Sequence, residues 1–224
     1  MLCEIKHRHS GAVLSSLECE SLKICVEEAV SAHADLSYAD LSYADLSYAD
    51  LSYADLGSAN LSYANLCSAD LGSADLSSAN LCCADFSSAN LRYADLRHAN
   101  LCCADFSSAN LSSASLRSAD LSYADLGSAN LRYADLSSAN LGSAAFIDGG
   151  EERRGFRFFA WRNKEGITAY RGGCHTWPNI DDALAHYGDG YKGSGDKDEC
   201  IGRLAFLRDE AARRWPAEIA QVAA

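Results

Sequence analysis

Four residues towards the C-terminal end carry the side chains of metal and nucleophilic chemistry: Cys174, His175, His186 and Cys200. Thiolates and imidazoles at suitable spacings bind zinc, and a Cys/His pair in contact can form a nucleophile and its base. These spacings match no standard zinc-ligand pattern, however, and adjacent residues of a strand point to opposite faces. Buried thiols and ordinary polar histidines are the reading they support. Gly188-Asp-Gly190-Tyr-Lys-Gly193 formally matches a dinucleotide-binding fingerprint. That motif needs a preceding strand and a following helix whose N-terminus receives phosphate, and here a predicted helix comes before it. Cys82, Cys83, Cys102 and Cys103 form a third set, at positions where other copies of a repeat carry Ser, Gly, Tyr or Arg. Side chains stacked in register point parallel, which is poor disulfide geometry, so these read as reduced thiols standing in for small residues. The expectation is a chain without catalytic group, cofactor or metal.

The elements that would position any site are set by a repeat. From Ala34 to Leu56 the chain reads ADLSYADLSYADLSYADLSYADL, and five-residue copies run without insertion over 34–146. On an α-helix five residues advance about 500°, so the Leu positions would spread round the circumference and bury no face. In a flat strand an odd repeat sends successive Leu residues to opposite sides. The remaining solution turns a corner once per repeat, with Ala and Leu inward and Asp outward. Right-angled corners close a coil in four copies, or twenty residues. The segment 79–91, ANLCCADFSSANL, recurs at 99–111, and Phe86, Phe106 and Phe146 are separated by twenty and forty. One echo disagrees, with LSYADLGSANL at 51–61 returning at 121–131.

These copies of A[D/N][L/F]xx closely resemble the pentapeptide-repeat family over about half the chain. The resemblance implies an all-β solenoid, a right-handed quadrilateral β-helix whose interior is filled by Leu36 through Phe146 and Ala34 through Ala144. The second residue after Leu is often Gly in the family but Tyr, Ser, Cys or His here. Because a positive φ disfavours such residues, few type II turns are expected. Residues 1–33, with β-compatible runs at 2–8 and 12–19 and a helix capped by Ser21, read as an N-terminal hairpin/helix cap. A rod of about 28 Å needs such a cap, since an open coil leaves strand edges unpaired. Residues 34–147 form the repeat domain. Residues 148–224 read as a small α+β module: a hairpin around Asn163-Lys-Glu-Gly166, a helix near 180–187, and a helix from about 197 to 215 with Ile201, Leu204, Ala205 and Leu207 on its apolar side. It is expected to shield the last coil.

A net charge of −12 excludes direct binding to nucleic acid or anionic membranes, which would need a basic face. The start MLCEIKHRHSG lacks the apolar run of a signal peptide and no stretch is long enough to span a membrane, so a cytoplasmic protein is expected. Sorted by twenty, one face carries Asp35, Asp55, Asp75, Asp95, Ser115 and Asp135, and the opposite face Asp45, Asn65, Asp85, Asp105 and Asp125. Corner hydrogen bonding and solubility explain Asp and Asn in general, while Asn can stack in ladders where Asp repels itself. Tyr38, Tyr43, Tyr48 and Tyr53 put one Tyr on each side of the first coil, expected as a ring packed under the cap, or else as a recognition belt. The candidate interaction surface is these tyrosines with the two acidic columns, and the partner an unidentified protein. Some family members with acidic rods mimic duplex DNA towards type II topoisomerases such as DNA gyrase. Here thirteen Asp and four Arg give −9 over 34–146, against roughly sixteen charges for duplex DNA of that length.

Overall fold

The computed structural model describes residues 2–142, 146–151, 157–162, 168–172, 175–177, 180–186 and 197–214. The chain divides into two compact units, Met1–Ala144 and Ala145–Ala224.

In the first unit, strands β1 (Leu2–His7) and β2 (Val13–Glu18) form a hairpin, followed by helix α1 (Leu22–Ser31). Ser21 caps the helix, its hydroxyl accepting the Ile24 N–H at 3.3 Å. Cys25, Val26 and Ala29 are the buried face of α1, and Cys3 and Ile5 are buried on β1. The other edge of β1 pairs antiparallel with β3 (Ala39–Asp40), matching Lys6 with Asp40 and His7 with Ala39. The hairpin thus occupies an edge of the first coil that would otherwise stand open. Side chains of the cap complete the job: Lys23 Nζ donates to the Ser47 carbonyl at 3.0 Å, and Glu27 Oε1 accepts the Asp50 N–H at 3.0 Å.

Beyond the cap the legs are too short for conventional strands, and each holds its neighbour by one parallel bridge. Every such bridge joins a residue to the one twenty places on, from Asp35 with Asp55 to Asp120 with Asn140. The coil therefore contains four repeats. Leu36 to Leu136, with Phe86 and Phe106 among them, and Ala39 to Ala134 are buried. Each buried Leu contributes about 1.5–3 kcal/mol relative to exposure. The ends of the expected ladders fall short: Ala34, Ala139 and Leu141 are half-buried. Phe146 instead opens strand β4, with its backbone paired to Trp161.

The corners contradict the turn expectation. The Ala39 N–H donates to the Leu36 carbonyl at 3.0 Å, closing a four-residue turn, and this bond recurs along the rod. At every corner from Tyr38 to Ser138 the third turn residue has a φ of 57–63°, while the second does not enter the left-handed region. That is the pattern of a type II turn. A left-handed residue with a side chain costs about 1–2 kcal/mol. The cost is outweighed because the same residue donates its N–H to the next coil, as Tyr38 does to the Gly57 carbonyl at 2.9 Å, and because only this bend keeps both Ala and Leu inward. Stacking overrides local propensity.

The second unit contains the antiparallel sheet β4-β5-β6-β7: β4 (Phe146–Glu151), β5 (Arg157–Arg162), β6 (Thr168–Gly172) and β7 (His175–Trp177). Helices α2 (Ile180–His186) and α3 (Lys197–Arg214) follow. Strands β5 and β6 are the expected hairpin, paired from Phe158 with Gly172 to Arg162 with Thr168. Ala160, Ala183, Cys200, Leu204, Leu207 and Ala211 form the core of this unit, with Ile201 packed against it. Among the described residues no helix is long and apolar enough to cross a membrane.

The rings of Phe86 and Phe106 stack one coil apart, with centroids 4.9 Å apart and planes 3° from parallel. Such pairs add about 0.5–1.5 kcal/mol beyond burial. A double-mutant cycle with Phe86→Leu and Phe106→Leu, read by thermal or denaturant unfolding, is expected to show coupling of that size; additive losses would contradict it.

Candidate interaction surface

The Asp or Asn of each repeat reaches the surface only after serving its own corner. Oδ1 of Asp35 accepts the Ser37 N–H at 2.8 Å, and the same bond, 2.8 to 3.4 Å long, forms in every described copy that carries Asp or Asn. The corner role expected of these residues is realised. Asn does more than Asp. Each Asn Nδ2 donates to Oδ1 one coil earlier, so Asn60, Asn80 and Asn100 run down to Asp40, and Asn90, Asn110 and Asn130 run down to Asp70. Asn65 donates to Asp45, and Asn140 to Asp120. A carboxylate can accept such a bond but not pass it on, so an Asp stands at the N-terminal foot of every ladder.

The two acidic columns are where this device is scarce. Asp35, Asp55, Asp75 and Asp95 are bridged backbone to backbone, which sets their carboxylates in register on successive coils, with Ser115 between Asp95 and Asp135. Opposite, Asp45 lies under Asn65, after which Asp85, Asp105 and Asp125 stack likewise. Asp35, Asp45, Asp55, Asp75 and Asp135 are exposed, and Asp85, Asp95, Asp105 and Asp125 half-buried. The Arg97 guanidinium holds Asp95 below the usual carboxylate range through a two-pronged contact at 2.5 to 2.8 Å. The Ser37, Ser47 and Ser52 side chains, then their backbone N–H groups, lower Asp35, Asp45 and Asp50 respectively, and for Asp120 the Ser122 N–H comes first.

The tyrosines are not packed under the cap. Tyr38 stacks on the His7 ring, centroids 5.4 Å apart, yet is 44% exposed. Tyr43, Tyr48 and Tyr53 are 73%, 72% and 78% exposed. The left-handed corner aims these side chains away from the axis, while the cap engages the first coil through backbone pairing and charged side chains. Tyr43 and Tyr63 stack along one corner, 5.0 Å apart and 2° from parallel. Arg92 and Arg132 lie over Tyr93 and Tyr133, 4.6 and 4.7 Å from the ring centroids, and each also donates to that phenol oxygen. No simple sequence rule exposes these Arg–Tyr pairs as units, although Arg and Tyr adjoin at both corners.

Cys200 belongs to the core of the second unit, and Cys174 and the loop Gly188–Gly193 lie outside the described residues. Among the described residues no group of three or more His, Cys, Asp or Glu is arranged to hold a metal ion.

A family model described as pentapeptide repeats matches eight copies, over residues 28–62, 59–92, 69–107, 80–117 and 109–146, which together exceed half the chain. A search of curated proteins found no significant match. Among solved structures, HetL, a pentapeptide repeat protein involved in heterocyst differentiation regulation in the cyanobacterium Nostoc sp. strain PCC 7120, is 38% identical, with 50% of this chain and 65% of that one covered and a TM-score of 0.26. A pentapeptide repeat protein of the cyanobacterium Cyanothece 51142 is 35% identical over 38% of this chain and 62% of that one, with a TM-score of 0.23. One from the thylakoid lumen of Arabidopsis thaliana is 31% identical over 45% and 63%, with a TM-score of 0.29. The chain thus covers less than two thirds of each of these relatives.

A carboxyl whose folded pKa lies below its unfolded value of about 3.9 adds stability above that pH and loses it as pH falls through the folded value. Asp35, Asp45, Asp50, Asp95 and Asp120 all have lowered values. The melting temperature is therefore expected to hold down to about pH 5 and to fall below about pH 4. Asp120→Asn keeps the corner acceptor and gains a donor towards Asn100, so this variant should melt above the wild type at pH 3; equal melting would contradict the corner role.

Proposed function

The chain belongs to the pentapeptide-repeat family, and on that premise we propose that it is a non-enzymatic scaffold, a right-handed quadrilateral β-helix that presents a patterned outer surface to a protein partner. The observation that carries this reading is the set of exposed tyrosines round the first coil, Tyr43, Tyr48 and Tyr53 above all. Tyr brings large contact area with little rotamer entropy and a polar tip, which is why it is enriched at binding hot spots. Ser fills the same corner place in many other copies with the same φ and the same backbone bond to the next coil, so closing the coil does not call for these rings. The neighbouring Asp35, Asp45 and Asp55 would favour a partner with basic residues at the rim of the contact.

The experiment replaces Tyr43, Tyr48 and Tyr53 by Ser, the residue that other corners use. A partner captured by the wild-type chain from extracts of the host and identified by mass spectrometry should lose binding at least tenfold in the purified pair, about 1.4 kcal/mol. The melting temperature should be unchanged within a few degrees. Unaltered affinity would reject the belt as the contact.

The stacked carboxylates at Asp85, Asp105 and Asp125 favour a second reading, mimicry of DNA towards a type II topoisomerase. On it, the chain should inhibit or protect purified DNA gyrase at micromolar concentration or below, less strongly as salt screens the charges. Supercoiling unaffected at every salt concentration would reject it.

A further inference from the structure

Four thiols meet along one corner of the rod. Cys82 and Cys83 are the two central residues of one turn, and Cys102 and Cys103 occupy the same places one coil later, where the Cys83 N–H donates to the Cys102 carbonyl at 2.9 Å. Neighbouring side chains of a strand point apart. At these corners, where Cys83 and Cys103 take φ values of 59° and 60°, they converge, and the two sulfurs of each pair are 3.5 Å apart. Cys82, Cys83 and Cys102 are half-buried and Cys103 is exposed, so reagents in solution can reach them. The same corner carries the exposed rings of Tyr63 on the coil before and Tyr123 on the coil after.

We propose that each of the two pairs, Cys82/Cys83 and Cys102/Cys103, is a dithiol site for a trivalent arsenical of the form R–As=O. The arsenic–oxygen bond and two S–H bonds break, two arsenic–sulfur bonds form, and the oxygen leaves as water with both thiol protons. No electron is transferred and no oxidant is needed. A pyramidal atom with bonds to sulfur of about 2.3 Å, the length of a zinc–thiolate bond, and an angle of about 100° spans about 3.5 Å between its two sulfurs. The pairs are therefore spaced for one chelated atom each, without rearrangement of the corner. A disulfide would need the sulfurs to close to about 2.05 Å and would consume an oxidant.

The protonation of the thiols separates arsenic from a divalent metal. Partial burial, then the hydrogen-bonded Cys83 thiol, push Cys82 up to about 12, and the hydrogen-bonded Cys102 thiol, then the loss of some hydration, push Cys103 up to about 11. A zinc ion must expel those protons to gain thiolate ligands, and among the described residues no three His, Cys, Asp or Glu side chains are arranged to hold one. Condensation with R–As=O carries the protons away as water and leaves the site neutral.

The test uses the full reduced chain, phenylarsine oxide as the probe, and intact mass spectrometry under non-denaturing conditions. The expected result is two phenylarsine groups per chain, each gained with loss of one water, retained in excess glutathione and removed by dithiothreitol. The double variant Cys82→Ser, Cys83→Ser should hold one group and the four-Ser variant none. Ser112 and Ser113 already form such a corner, so these variants retain the fold. Arsenic retained by the four-Ser variant would place it on other thiols, such as the buried Cys3, Cys19 and Cys25, and would overturn the proposal. So would removal by glutathione alone, or uptake of zinc, offered alone at neutral pH, that is lost with the same four cysteines.

Discussion

The structure of the rod depends on one hydrogen bond, from the N–H of the residue after Leu to Oδ1 of the Asp or Asn before it. A five-residue repeat has five N–H groups to satisfy. In the second coil, Leu61 donates to Asn80, Tyr63 to Cys82, Ala64 to Leu61 and Asn65 to Ala44, all through backbone carbonyls. Ser62 is left, and its N–H points along the turn to Asn60 Oδ1 at 3.3 Å. A short side chain with a planar oxygen is what closes this ring, and it explains why the position tolerates both Asp and Asn although their charges differ. Unmet, that donor would leave each corner with an unsatisfied group worth about 1–3 kcal/mol wherever water could not reach it.

Once Oδ1 is committed to the corner, the second atom of the side chain chooses the character of the surface. Nδ2 of Asn donates along the rod and so links coils; Oδ2 of Asp adds charge and has no proton to pass to the coil before. Asp40, Asp45, Asp70 and Asp120 each end a run of Asn on their C-terminal side. The two faces that carry most of the Asn are therefore tied together by side chains, and the other two keep most of the negative charge. Arg97 answers Asp95 on one of the acidic faces, and Arg92 and Arg132 are turned onto tyrosine rings. The charge pattern follows from the hydrogen-bond pattern and owes little to ion pairing.

The coil was legible in the sequence because packing acts through side-chain types: Ala and Leu at fixed places of a five-residue period must both face inward, and twenty-residue echoes such as Phe86 and Phe106 report which copies stack. The turn type was not legible. A positive φ at Tyr48 or Cys83 contradicts the local preference of those residues, and the reason for it, an N–H donated to the next coil, exists only after stacking. The tyrosine belt misled for a related cause. An aromatic residue beside a cap suggests burial, but the bend that donates the N–H also points the ring outward. Ladder direction could have been read from the order of Asp and Asn in each column, since only Asn can donate. In the second unit, β4 and β7 are a Gly-containing strand and a three-residue strand, too short or too Gly-rich for alternation to mark them.

The separation between inward and outward positions has a consequence for how such a chain can change. Ala and Leu carry the burial, Asp or Asn accepts the fifth N–H, and the bonds that close and stack the coil draw only on the backbone atoms of the two corner residues. Ser, Gly, Cys, Arg, Tyr and His all occupy these corner positions, and the non-Gly residues at the third turn place share nearly the same φ. The left-handed cost differs little among them, because it comes from Cβ, which all of them have. A substitution at a corner thus leaves the backbone bonds of the coil in place while it rewrites the surface, and a ring such as Tyr53 or a thiol pair such as Cys102 and Cys103 is open to what it meets outside the rod. The same independence means that a duplication of twenty residues copies a surface feature onto the adjacent coil in register. The identical segments 79–91 and 99–111 have that relation, and they turn one pair of thiols into two, and one buried Phe into a stack.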